Sequence, residues 1–135
     1  MHRLEHVLVY ASTHKPHHVY KSPTLFIAFS GSVADTVCMI LVPLAVTSRV
    51  AHLTTPEYMF FGTLYSSYLT LIHSEFHHRW DKLIHGVIAT PADHHVHHRF
   101  FNANYGHLFM FWDKIAGTYR DPMVQKGFGK ERVWD

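Results

Sequence analysis

Two apolar blocks separated by histidine-rich polar stretches organise the chain. The first runs from Leu25 to Val50; its cleanest part, Val37 to Val46 (VCMILVPLAV), is short, and Asp35 and Pro43 interrupt the longer run. A bilayer span needs about 20 apolar residues. Leu25 to Val46 reaches that length only with Asp35 inside it, which is costly near the bilayer centre. The pattern therefore predicts a membrane helix starting near Asp35, whose carboxylate suits the positive end of the helix dipole, with Leu25 to Phe29 at the interface. Ser48 to Glu57 is a polar connector in which Thr54, Thr55 and Pro56 mark a helix start. Tyr58 to Ile72 (YMFFGTLYSSYLTLI) follows as the second apolar helix. A buried helix of a soluble bundle is the competing reading of both blocks.

Around these blocks lie Met1 to Tyr10, which reads as a helix, and Thr13 to His18, where Pro16 is tolerable in a first helical turn. Lys82 to Ala89 leads into Thr90–Arg120 (TPADHHVHHRFFNANYGHLFMFWDKIAGTYR), whose start reads as helix. From Asp121 the chain is polar and glycine-bearing, a frayed tail. The fold class expected is all-α, in a single domain.

Composition changes this picture at one point. A net charge of +2 on 135 residues gives no nucleic-acid surface. The single cysteine, Cys38, excludes an internal disulfide, an iron–sulfur cluster and a cysteine-rich zinc site. No Gly-x-Gly-x-x-Gly, Walker loop or nucleophile turn is visible. Fifteen histidines, however, outnumber all lysines and arginines together, and they are spread from position 2 to 107.

Ten of them form four boxes: His2 and His6; His14, His17 and His18; His73 and His77; His94, His97 and His98. At i, i+3 and i+4 on a helix, imidazoles share a face. Neutral imidazole is a common ligand of iron, zinc and copper. One zinc ion uses four ligands and leaves the rest unexplained, whereas ten nitrogens suit two ions with four or five each. Nitrogen-rich sites point to iron or copper redox chemistry rather than to magnesium or calcium. His95 points about 100° away from His94, His52 sits in the connector, and His85 and His107 lack a partner at ligand spacing, though His107 could line the site. Metal-bound histidines usually donate their second N–H to a carboxylate or carbonyl. Glu5, Glu75, Asp93 and Asp113 are candidates for that, with a helix cap or surface charge as the plainer role of each.

If the boxes build one site, the two apolar blocks between them must form a transmembrane hairpin that returns the chain to the same face. Arg3, Lys15, Lys21 and all eight Lys/Arg after residue 78 fall on the histidine side, and only Arg49 on the other. That asymmetry places the histidines in the cytoplasm.

The four boxes in this order, and above all HHxHH…NYG…WDK…GTYR within residues 90–122, resemble the fatty acid hydroxylase/sterol desaturase family of membrane di-iron oxygenases. HKPHH at 14–18 is similar to the box of sterol C5-desaturases, and HRLEH at 2–6 looks like the family's first box. The resemblance covers residues 1–122, leaving 123–135 as a polar tail, and implies two iron ions held by the ten box histidines, with dioxygen as co-substrate. It further implies oxidation of a sterol or fatty acyl lipid at the endoplasmic reticulum membrane. The electrons would come from a partner such as cytochrome b5 and its reductase. Family members carry about two more membrane helices before the first box, so this chain reads as an N-terminally shortened member. A non-catalytic membrane relic that binds metal or a partner, and a soluble four-helix dimetal oxidase, are the alternatives.

Overall fold

A computed structural model describes residues 2–76, 78 and 81–124. Among them the structure is helical, with no strand; the β-type pairing present is one antiparallel bridge between Ile88 and Phe109. Short helices at His2–Leu8, Asp81–Ile84, Pro91–Phe100 and Phe111–Ile115 surround the ends of two longer helical runs, Val33–Val50 and Thr55–Ile72.

The first long run begins where the sequence predicts. The Ser32 hydroxyl accepts the backbone N–H of Asp35 at 3.1 Å, so Asp35 lies in the first turn. Leu25–Ile27 forms a separate 3-10 turn before it. Its middle, Val37–Leu41, widens into a π turn in which the Val42 N–H reaches back to the Val37 carbonyl. Pro43 explains the widening: it has no N–H, and its ring crowds the carbonyl four residues earlier. Val33–Val50 is long and apolar enough to cross a membrane, and only 17% of it is buried. Val33, Leu41, Val46 and Val50 face outward, whereas the core helix of a soluble bundle would turn such residues inward. The second run starts at a capping box in which Thr54 and Glu57 satisfy each other's backbone N–H groups. It also presents Met59, Phe60 and Leu64 to the outside.

Asp35, Thr36, Met39 and Ile40 from the start of the first run line one small cavity together with Leu69 and His73 from the end of the second. The two ends that flank histidine boxes therefore lie side by side.

Two local expectations need correcting. Thr13–His18 is not an α-helical turn: a succession of turns leads to a 3-10 turn at His17–Val19, with Pro16 preceding it. Pro16 cannot donate the next rung of an α-helical ladder, so His14, His17 and His18 do not share one helical face. The second long helix also stops at Ile72, with His73 as its cap and 74–76 non-helical. His73 thus does not continue towards position 77 at helical spacing; His77 itself, like Trp80 and the tail from 125, lies outside the described residues.

Residues 103–120 form the scaffold beneath the site. Asp113 accepts the N–H groups of Tyr105 (2.9 Å) and Gly106 (2.7 Å) and the Thr118 hydroxyl (2.6 Å). The Asn104 amide donates to the carbonyls of Asp93 and Arg120, and its oxygen accepts the Arg120 N–H. The Asn-Tyr-Gly, Trp-Asp-Lys and Gly-Thr-Tyr-Arg segments are thereby one hydrogen-bonded unit. Glycine is required at 106, since a Cβ there would meet the Phe109 carbonyl at 2.6 Å and the Asp113 carboxylate at 2.9 Å.

Candidate metal centre

Nine of the ten box histidines converge, in two groups. His2, His6, His14, His18 and His97 bring one nitrogen each within 4.8 Å of one another, and His17, His73, His94 and His98 do the same. All nine are buried except His6, which is half-buried. The boxes do not map one to one onto the groups. The non-helical turn at Pro16 sends His14 and His18 to the first and His17 to the second. The Pro91–Phe100 helix sends His97 to the first and His94 and His98, one turn apart, to the second. That helix is fixed at its start by a buried capping box between Thr90 and Asp93, so Asp93 has the capping role expected of it.

Most rings are held by the nitrogen that faces away from the group. The Nδ1 atoms of His2, His73, His97 and His98 lie 2.6–3.0 Å from the carbonyls of Tyr105, Leu69, Ala103 and Tyr20. His14 is held instead by Asp35, at 2.8 Å. Spacing along the chain could not show this contact, because the two residues are 21 apart and Asp35 reads as a helix-start residue. Glu5 lies buried beside the same pair, and burial and the Asp35 charge raise its pKa. Glu75 accepts from the Leu25 N–H at the surface, and Asp113 anchors the loop that carries Tyr105. Tyr105 touches the site twice: its carbonyl holds His2, and its ring lies 5.2 Å from that of His6 and 5.5 Å from that of His97.

Burial disfavours the charged form of His2, His6, His17, His18, His73, His94, His97 and His98. It lowers His6 and His73 to about 3 and His17 to about 4, and pushes His2, His94, His97 and His98 well below the usual 6.5; neighbouring imidazoles add to each effect. His52 stands exposed in the turn between the long helices, and His85 lies 4.0 Å from Asp121. His107 packs against His2 with ring centroids 4.3 Å apart and the planes tilted by 38°, beside the groups but in neither of them.

The fatty acid hydroxylase sequence profile matches residues 1–118. The chain belongs to the fatty acid hydroxylase family. Among curated proteins it is similar to the alternative squalene epoxidase of Phaeodactylum tricornutum, with 54% identity over 90% of this chain and 36% of that protein. It is also similar to human lathosterol oxidase, with 33% identity over 93% of this chain and 42% of that one. A Delta(7)-sterol 5(6)-desaturase of Aspergillus fumigatus is 32% identical over 88% of this chain and 34% of its own length. The chain thus spans about two fifths or less of the length of these relatives. No solved structure matches it.

The residues of this family member fit a bound metal, for a reason internal to the site. A backbone carbonyl can only accept, so neutral His2 carries its proton on Nδ1 and turns Nε2, a lone pair, inward; His14 donates Nδ1–H to the Asp35 carboxylate and turns its own Nε2 the same way. Those two Nε2 atoms face each other at 2.9 Å. Two nitrogens at that distance either share a proton or converge on a cation. In the second group, Nε2 of His73 faces those of His17 at 3.1 Å and His94 at 3.0 Å. His98 faces His94 at 3.2 Å, and in the first group His97 faces His18 at 3.1 Å. Imidazoles held by outward N–H bonds with inward lone pairs are arranged as metal ligands are.

Proposed function

We propose that this chain is a membrane-bound di-iron oxidoreductase that uses dioxygen to oxidise a sterol or a closely related lipid. The observation that carries the reading is the pair of inward-facing imidazole groups, His2/His6/His14/His18/His97 and His17/His73/His94/His98, each able to hold one ion. Nitrogen donors in that number point to iron or copper redox chemistry, and the resemblance to the di-iron family selects iron. His77 remains a tenth candidate by its place in the sequence. The two apolar helices form a transmembrane hairpin with both histidine-bearing ends on the cytosolic side of the endoplasmic reticulum membrane. Electrons arrive from a partner such as cytochrome b5 and its reductase.

Iron, when bound, supplies the activation of dioxygen that an unreactive C–H bond or alkene requires. The chain supplies the rest. Asp35 and the four backbone carbonyls fix ring orientation before any ion arrives. Ala28, Phe29, Met39, Ile40 and Leu69 give the cavity beside His14, His17 and His73 an apolar wall, suited to a hydrocarbon and to the exclusion of water.

The names of the relatives favour a sterol or its hydrocarbon precursor over a fatty acyl chain. The 54% identity to an alternative squalene epoxidase favours oxygen insertion into an alkene. The 32–33% identity to lathosterol oxidase and a sterol 5(6)-desaturase favours removal of two hydrogens from the sterol ring. Both reactions consume one dioxygen and two electrons; the first gives an epoxide and water, the second an alkene and two waters. The test is metal content of detergent-purified protein beside His97→Ala and His98→Ala, then turnover with squalene and lathosterol in separate assays. About two irons per chain, reduced in both variants, with product from either lipid, is the expected result. A folded sample that takes up no iron would refute it.

A further inference from the structure

We propose that His107 is a functional residue of this centre: the hydrogen-bonding side chain that a small ligand meets on the open side of the two imidazole groups. The inference rests on the reading of the groups as a metal site and adds a residue that the box pattern leaves out.

Three observations place it there. First, the His107 ring touches one member of each group, His2 at 4.3 Å and His94 at 5.5 Å between ring centroids. Its nitrogens nonetheless lie outside the 4.8 Å that the members of either group share, so it stands beside the ligand set rather than within it. Second, it lines two cavities at once. One is the small apolar-walled cavity of about 30 Å³ that reaches His14, His17 and His73, and the other a larger one of about 490 Å³ bounded by His2, Tyr105 and Trp112. The ring thus stands at the wall of both spaces, beside the group members that each of them reaches. Third, its placement is built. On one side the Gly106 N–H is held by Asp113 at 2.7 Å, and on the other the Leu108 carbonyl accepts the Ala89 N–H at 2.8 Å. The Ile88–Phe109 bridge and the Met110 N–H to Val87 carbonyl bond complete the clamp.

Its chemistry differs from that of five of the box histidines. His2, His14, His73, His97 and His98 each commit Nδ1 to a carbonyl or carboxylate, which points Nε2 inward. Among the described residues no such partner fixes either nitrogen of His107, so its ring keeps an N–H to offer. An imidazole N–H beside an open coordination position stabilises a bound anion by a hydrogen bond without itself binding the metal.

Azide is a suitable probe, being small, anionic and coloured when bound to ferric iron. Wild type, His107→Ala and His107→Gln would be loaded with iron in detergent, analysed for metal and titrated with azide while the charge-transfer band is followed. The expected result is wild-type metal content in both variants, azide binding weakened at least fivefold with a shifted band in His107→Ala, and partial recovery in His107→Gln, whose amide restores a donor. Unchanged azide affinity and band in a fully loaded His107→Ala would overturn the inference alone. Loss of iron in both variants would overturn it too, making His107 a ligand. A wild type that binds no iron would instead sink the metal site, and this inference with it.

Discussion

Asp35 holds His14, and no backbone carbonyl shares that task. Replacing it with asparagine keeps the size but removes the charge that raises imidazole basicity, and removing a carboxylate behind a metal-bound histidine typically weakens metal binding ~10- to 100-fold. Asp35→Asn is therefore expected to release iron to a competing chelator at correspondingly lower chelator concentration, with unchanged helical circular dichroism. Asp113 acts one step further back. It accepts three donors, and Asp113→Ala strands them in a part-buried loop, at a cost on the order of 3 kcal/mol. A lower melting temperature should appear together with weakened metal binding, because the loop presents the Tyr105 carbonyl to His2. The histidines also set an acid limit. An unfolded chain takes up protons near 6.5, whereas His6, His73 and His107 stay neutral down to about 3 and His17 down to about 4. Below pH 6.5 the unfolded state binds more protons, so stability is highest above 6.5 and is lost as pH falls towards 3. Denaturant titrations of metal-free protein at pH 7.5, 6 and 5 should show steadily falling midpoints; a flat series would contradict buried neutral imidazoles.

At the scale of elements, the legible parts were those with a cap or a long period. Thr54-Thr55-Pro56 and Asp35 mark helix starts that the structure keeps. The Pro91–Phe100 helix follows from its box, and its capping box makes a direct prediction: Thr90→Ala removes a buried cap and should cost about 1 kcal/mol in thermal or chemical unfolding. Illegible were the places where one residue breaks the period. Pro16 replaces a helical face by a 3-10 turn, and the second long helix ends at its cap, His73, the first residue of its box. Pairings of distant residues, His14 with Asp35 and His2 with Tyr105, leave no trace in local spacing, since only tertiary packing creates them. His107 is legible only as a residue that could line the site; its neighbours in space lie 13 and 105 residues away in sequence, so its contacts leave no local pattern.

For the whole molecule, sequence charge and helix exposure point the same way. The two long helices turn valine, leucine, methionine and phenylalanine outward, and eleven of the twelve basic residues in the sequence fall on the histidine side of the apolar blocks. A cysteine placed at exposed His52, in a Cys38→Ala background, tests the proposed orientation. In sealed microsomes whose cytosolic face is outward it should resist a membrane-impermeant maleimide until detergent is added. Labelling without detergent would reverse the orientation or remove the membrane.

Because HKPHH and HHVHH each divide their histidines between both groups, the two groups share two of the segments that build them. The segment that carries His17 to one carries His14 and His18 to the other, and the helix that carries His97 carries His94 and His98. An ion arriving at one group therefore orders the chain that the other needs. Loading should be sigmoidal, with half-filled molecules scarce at substoichiometric iron, and damage to one end of the site should empty both.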